Sequence, residues 1–190
     1  DHRDLHSFPT RRSSDLKRSQ FQELLRCDWI RQGHNVLIVG PTGVGKTFLA
    51  CALGNAACRQ GISVRYYRVP TLLREAAIAQ GDGQYFDLLK TLRKADLLIL
   101  DDWGLANLLP AESRDLLEVL EDRSQRCSTL VASQLPIEHW YQSLGDSTIA
   151  DAILDRIIHN AHKVMLRGES MRKIARNSQL ETEVDSKQES

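Results

Sequence analysis

Apolar residues fall along this chain in short dense blocks, separated by longer stretches in which they recur every three or four positions. The blocks are NVLIVG (35–40), SVRYYRV (63–69), ADLLILDD (95–102), STLVAS (128–133) and KVMLRG (163–168). Runs this rich in Val, Ile and Leu read as buried parallel strands. The intervening stretches, 46–60, 70–79, 85–94, 111–126 and 148–162, are amphipathic on a helical period. Gly61 stands where the first of these helices should stop, and Pro70 suits the first turn of the second. Strand and helix in repeated alternation predict an α/β fold of three layers, αβα, with a five-stranded parallel sheet covered by helices on both faces.

Size and composition narrow this to one folded unit, expected over residues 17–176. A chain of 190 residues can bury a core without disulfides or structural metal. Its 42% hydrophobic and 26% charged residues are the balance of a soluble globular protein. No apolar run approaches the roughly 20 residues that span a bilayer, so no membrane partner is expected. Residues 1–16, DHRDLHSFPTRRSSDL, show neither periodicity and read as a non-native, artefactual or disordered segment. The alternative is a basic arm on nucleic acid, using Arg11, Arg12, Lys17 and Arg18. Residues 177–190 read as a disordered polar tail.

Lysine plus arginine (25) equal aspartate plus glutamate (25), so no global positive field announces a nucleic-acid partner. Any DNA contact has to come from a local patch. Cys27, Cys51, Cys58 and Cys127 form no CxxC pair, which argues against disulfides and zinc fingers and for a reducing cytoplasm. Cys51 and Cys58 lie two turns apart on one expected helix face, where they should pack in the core. His159 and His162 have no carboxylate or cysteine partner at ligand spacing and are not taken as a metal pair.

Candidate chemistry begins at GPTGVGKT, residues 40–47, which matches GxxxxGK[ST] directly after an apolar strand and at the start of a helix. Gly40, Gly43 and Gly45 permit backbone geometries that aim successive amides at phosphate oxygens, and the helix dipole adds to the attraction. Pro41, Thr42 and Val44 complete the loop and Phe48 follows it. Lys46 supplies a mobile cation for the β and γ phosphates, and the Thr47 hydroxyl can ligate Mg²⁺. In ADLLILDDW an apolar strand delivers Asp101 and Asp102 to its C-terminal end, the edge where ligands bind in open parallel sheets. Asp101 is the expected direct or outer-sphere partner of Mg²⁺. Asp102 stands where a water-activating carboxylate is needed, one methylene shorter than glutamate. Together the two motifs predict that the chain binds ATP with Mg²⁺ and hydrolyses it.

From about residue 21 to 175 the chain resembles the IstB-like ATP-binding proteins, AAA+ helpers of insertion-sequence transposases and kin of the bacterial helicase loader DnaC. The resemblance rests on NVLIVGPTGVGKTFLACALG, ADLLILDDWGL, STLVASQLPIEHW and AILDRIIHNAHKVMLRGESMR. It implies a P-loop NTPase of the AAA+ type. It also implies that Gln134, where similar proteins carry Asn, senses the γ-phosphate. Arg156 in LDRIIH matches an arginine finger that reaches a neighbouring subunit's nucleotide, and Arg172 in GESMR matches a nucleotide-sensing arginine. A guanidinium suits such work, being always charged and able to bridge phosphate oxygens. The plain alternative for Arg156 is a surface pair with Asp155 or Asp151.

The function implied is a bacterial cytoplasmic ATPase whose subunits form a ring or filament on double-stranded DNA with ATP and recruit a cognate transposase. Arg65, Arg68, Arg74, Lys90, Arg93 and Lys94 are the scattered cations available for DNA. Two other readings stand beside it: a DnaC-like helicase loader in DNA replication, and a nucleotide-dependent scaffold that binds ATP without turning it over, motivated by Asp102 and Gln134. A small-molecule kinase would need an arginine-rich lid and an acceptor pocket, and neither pattern is visible.

Overall fold

The computed structural model describes residues 18–170. Five strands, β1 (Asn35–Val39), β2 (Val64–Arg68), β3 (Leu97–Trp103), β4 (Ser128–Ser133) and β5 (Ala161–Met165), pair in parallel in the order β2-β3-β4-β1-β5. β1 is therefore flanked on both sides, with Leu37 opposite Val131 of β4 and Lys163 of β5. The helices are α1 (Arg18–Leu25), α2 (Asp28–Arg31), α3 (Lys46–Arg59), α4 (Val69–Gly81), α5 (Tyr85–Lys94), α6 (Pro110–Arg123), α7 (Trp140–Ser143) and α8 (Ser147–Ile158).

Successive side chains on a strand point to opposite faces, and this alternation divides the core in two. Val36, Ile38, Leu97, Ile99, Leu130 and Ala132 face one way and pack against Leu49, Ala50 and Leu53 of α3, with Leu24, Trp29 and Ile30 from α1 and α2. Leu37, Val39, Leu98, Leu100 and Val131 face the other way, against Leu72, Leu92, Leu116 and Ile153 from α4, α5, α6 and α8. Each fully buried Leu or Ile contributes about 1.5–3 kcal/mol relative to exposure. The predicted αβα layering is what the chain adopts.

Three local expectations are corrected. The helix expected to reach residue 162 ends at Ile158, because the chain must turn to enter β5 at Ala161, whose ladder partner is Asn35. The Asn35 amide side chain fixes that turn by donating to the carbonyls of Arg156 (3.0 Å) and Ile157 (3.3 Å). The helix expected over 111–126 likewise ends at Arg123. Cys51 and Cys58 do share a helix face, but it is the outer one: both are exposed, while α3 buries Leu49, Ala50, Leu53, Gly54 and Ala57. The buried cysteine is Cys27, between α1 and α2.

One polar group holds the far edge of the sheet together. Arg123 is 1% exposed and donates to the carbonyls of Leu92, Ala95 (2.8 Å) and Ser128 (2.7 Å), tying the end of α5 to the start of β4. Burial pushes the pKa of this guanidinium below its usual value. Arg123→Ala would leave three buried carbonyls without a charged donor. A loss of about 3 kcal/mol is expected in urea unfolding, and a loss below about 1 kcal/mol would show that these bonds contribute little.

Candidate functional site

The sheet order puts the C-terminal ends of β1, β4 and β3 side by side, and the sequence-predicted residues collect there. The glycine-rich loop leaves β1 and runs directly into α3 at Lys46. Gly43 (φ +85°) and Gly45 (φ +98°) are in the left-handed region that side chains disfavour. At Gly40 the constraint is space, since a Cβ there would collide with the backbone carbonyl of Leu166, just beyond β5. The loop thus turns under the end of the sheet with its amides at a helix N-terminus, a geometry that suits an anion.

Inside this curve the Lys46 ammonium donates to the carbonyls of Gly40 and Pro41, both at 2.8 Å. Partial burial draws its pKa below the usual lysine value, opposed by the charges of Asp101 and Asp102. The Thr47 hydroxyl donates to Oδ2 of Asp101 at 2.7 Å. Asp101 is only 3% exposed, so its carboxylate has to be satisfied by donors. Two more are present: the Tyr66 hydroxyl on the same oxygen at 2.8 Å, and the Asp102 backbone N–H on Oδ1 at 2.8 Å. Burial and the bond to Asp101 raise the Tyr66 pKa above the usual tyrosine range.

Asp102 leaves strand geometry, with φ +58°, where the ladder between β3 and β4 slips between Leu100 and Trp103. Such a bulge re-aims a side chain. Here the Asp102 carboxylate meets Nε of Arg68 at 2.5 Å. From the end of β4, Gln134 Oε1 accepts a hydrogen bond from Thr42 of the loop at 2.6 Å, so the residue after the fourth strand reaches the loop. The neighbouring Ser133 is turned inward, donating to the Trp103 carbonyl at 2.7 Å and accepting from the Leu135 N–H. Phe48, on the first turn of α3, is 66% exposed.

Arg156 lies elsewhere. It sits in the last turn of α8, where its carbonyl is held by Asn35 at the start of β1. The length of β1, about 16 Å at 3.3 Å per residue, separates that position from the loop. Its guanidinium donates to Glu121 of α6 (2.7 Å) and to the Ala152 carbonyl (2.8 Å), so its carboxylate partner is Glu121 rather than the Asp155 or Asp151 of the alternative reading. Arg172 lies outside the described residues, as do residues 1–16 and 177–190. Of the scattered cations, Arg68 is engaged with Asp102, and Arg65, Arg74, Lys90, Arg93 and Lys94 are exposed on β2, α4 and α5.

Tyr66 and the partnership of Arg68 with Asp102 were not foreseen from sequence. Both depend on β2 lying next to β3, which local patterning does not reveal. The donor set itself fits the expected ligand. Hydroxyl and carboxylate oxygens are the ligands of a hard divalent cation, and a lysine with a glycine-rich loop suits phosphate. Among the described residues no three His, Cys, Asp or Glu side chains gather as a metal site, so Thr47 and Asp101 could hold a cation only together with further oxygens such as those of a phosphate.

Comparison with known proteins shows the family and the fold. The model of the family described as IstB-like ATP binding protein matches residues 1–179. The chain belongs to the IstB-like ATP-binding family. It is 53% identical over 158 residues to a relative from Sinorhizobium fredii named as an insertion sequence ATP-binding protein, y4pL, with 83% of this chain and 64% of the relative covered. The IstB-like chain thus spans somewhat under two thirds of that relative. Among solved structures, the DnaC helicase loader superposes with a TM-score of 0.66 at 19% identity, covering 84% of this chain and 95% of DnaC. The replication initiator DnaA bound to AMPPCP and single-stranded DNA gives 0.62 at 17% identity, covering 84% of this chain and 50% of that one. These two show the fold, a parallel sheet layered between helices, as in DnaC and DnaA.

The contact between Gly40 and Leu166 gives the IstB-like site a direct test. Gly40→Ala forces a methyl against backbone that cannot swing aside, and should destabilise the protein by about 1–3 kcal/mol in chemical denaturation. An unchanged unfolding midpoint would mean that the loop does not pack under β5 in this way.

Proposed function

We propose that this IstB-like protein is a Mg²⁺-dependent ATPase of the bacterial cytoplasm that assembles with ATP on double-stranded DNA and recruits a transposase. The observation that carries the reading is the meeting of Lys46 and Thr47 with Asp101 at one sheet edge, the Thr47 hydroxyl 2.7 Å from the carboxylate. The family's ATP-binding description and the insertion-sequence name of the relative support it. No helix among the described residues is long and apolar enough to cross a membrane, which is compatible with that location.

In this reading the loop amides and Lys46 hold the triphosphate and Asp101 and Thr47 hold Mg²⁺, which neutralises charge on the β and γ phosphates when bound. Asp102 takes a proton from the attacking water as the new bond to γ-phosphorus forms and the bond to the ADP oxygen breaks. Because Arg68 occupies Oδ2, the proton goes to the other oxygen or follows release of the ion pair. Gln134 takes the part of γ-phosphate sensor in this reading, which its hydrogen bond with Thr42 of the loop supports. Arg156, at the opposite end of β1, serves a neighbour's site rather than its own. Arg172 is carried along as a candidate nucleotide sensor.

The likeness of fold to DnaC favours a second reading, a helicase loader acting in DNA replication. Pull-down with the cognate transposase against a hexameric helicase distinguishes the two. A scaffold that binds ATP without hydrolysis is separated from both by phosphate release measured with DNA present.

Lys46→Ala should abolish ATP binding in calorimetric titration, whereas Asp102→Asn should retain it and cut phosphate release about 100-fold or more. Full turnover in the Asp102 variant would remove that residue from the chemistry. Arg156→Ala should spare binding by the isolated subunit and lower hydrolysis about a thousandfold in the assembled state. Equal loss in the binding and hydrolysis assays would refute a role between subunits.

A further inference from the structure

We infer that Tyr66 is a positioning residue for Asp101, fixing the carboxylate in the orientation in which it serves Mg²⁺. The inference rests on the ATPase reading and names a residue that the motifs do not include. Tyr66 lies at the middle of β2, opposite Ile99 of β3, and its hydroxyl reaches across to Oδ2 of Asp101 at 2.8 Å.

A carboxylate offers about four lone-pair sites, and three are occupied here. Thr47 and Tyr66 share Oδ2, while the Asp102 N–H takes one position on Oδ1. The three donors come from different elements: α3, β2 and the bulge of β3. The Asp102 N–H is fixed by the backbone, and the Thr47 hydroxyl is itself a candidate metal ligand that can rotate. Tyr66 is the donor with no other duty in the site. Its ring is anchored on a strand, its rigid phenol has few torsions to lose, and it is 41% exposed, so the ring is not a core filler. Removing the hydroxyl leaves a buried carboxylate short of one donor, with Oδ2 held by the rotatable Thr47 hydroxyl alone.

Partners of metal-binding side chains usually cost 10–100-fold in metal affinity when deleted. Tyr66→Phe removes only the hydroxyl. The full chain and this variant are titrated with AMPPCP by calorimetry, once in MgCl₂ and once in EDTA, with thermal unfolding as a check on the fold. The expected result is about tenfold weaker binding of AMPPCP in MgCl₂, equal binding by the two proteins in EDTA, and a midpoint of magnesium dependence displaced to higher concentration. An unchanged magnesium dependence overturns the assignment, as does an equal loss in MgCl₂ and EDTA, which marks the hydroxyl as structural only. A wild-type protein that ignores AMPPCP in both buffers sinks the ATPase reading and this inference with it. Magnesium-dependent binding by wild type with no effect of the variant sinks the Tyr66 assignment alone.

Discussion

A carboxylate that is 3% exposed has to be surrounded by donors, and the way Asp101 is satisfied organises the whole upper edge of this protein. Its partner Thr47 belongs to the loop after β1, yet β1 and β3 are not neighbours, since β4 lies between them. The Thr47–Asp101 bond therefore crosses the end of β4 and closes the loop over the sheet. This closure is possible only if the loop stays low. At Gly40 the backbone passes so near the Leu166 carbonyl that no side chain fits. The bulge in β3 answers the same demand, because it turns the Asp102 N–H back onto Asp101 while sending the Asp102 side chain outward to Arg68.

The two ends of the sheet divide the labour. At the C-terminal edge the polar side chains gather around the buried Asp101 carboxylate. At the N-terminal edge they are structural: Asn35 joins β1, β4 and α8 through bonds to the Thr129 N–H and to the carbonyls of Arg156 and Ile157, and Arg123 joins α5 to β4. Arg156 has its backbone in this rigid frame and its guanidinium on Glu121, a carboxylate 61% exposed. Ion pairs so open to water contribute little. The arginine is nonetheless firmly placed, its side chain 25% exposed and bonded also to the Ala152 carbonyl.

Much of this was legible because the signals are local. Each of the five strands showed as a Val, Ile and Leu block, and the Lys46 helix followed from the loop motif and Gly61. The motif also placed Lys46 and Thr47, and the apolar strand before Asp101 set that residue at the same edge. What stayed hidden depends on the order of strands. Nothing in SVRYYRV says that it lies beside ADLLILDD, so Arg68 read as one of several scattered cations and Tyr66 carried no signal of its own. Cys51 and Cys58 were misjudged for a related reason. A seven-residue spacing shows that two residues share a helix face but not which face is buried, and Leu49, Ala50, Leu53 and Ala57 took the inner side. The short helices α1 and α2 lacked a periodic stretch long enough to detect, although Leu24, Trp29 and Ile30 close one side of the core.

The fold that this chain shares with DnaC and DnaA does not by itself assign a task, because function resides in the site carried by a fold rather than in the fold. The site of this chain is shaped by how its carboxylates are held. Tyr66 and Arg68 are two residues apart on one strand, hence on the same face, and each takes one of the two adjacent aspartates. That strand is β2, at the edge of the sheet, with β3 as its single neighbour and α4 beginning directly after it at Val69. Both acidic groups are thus tied to an edge strand of the sheet. β2 meets the site through one neutral hydroxyl and one ion pair, whereas the glycine loop is confined at Gly40 by the Leu166 carbonyl just beyond β5.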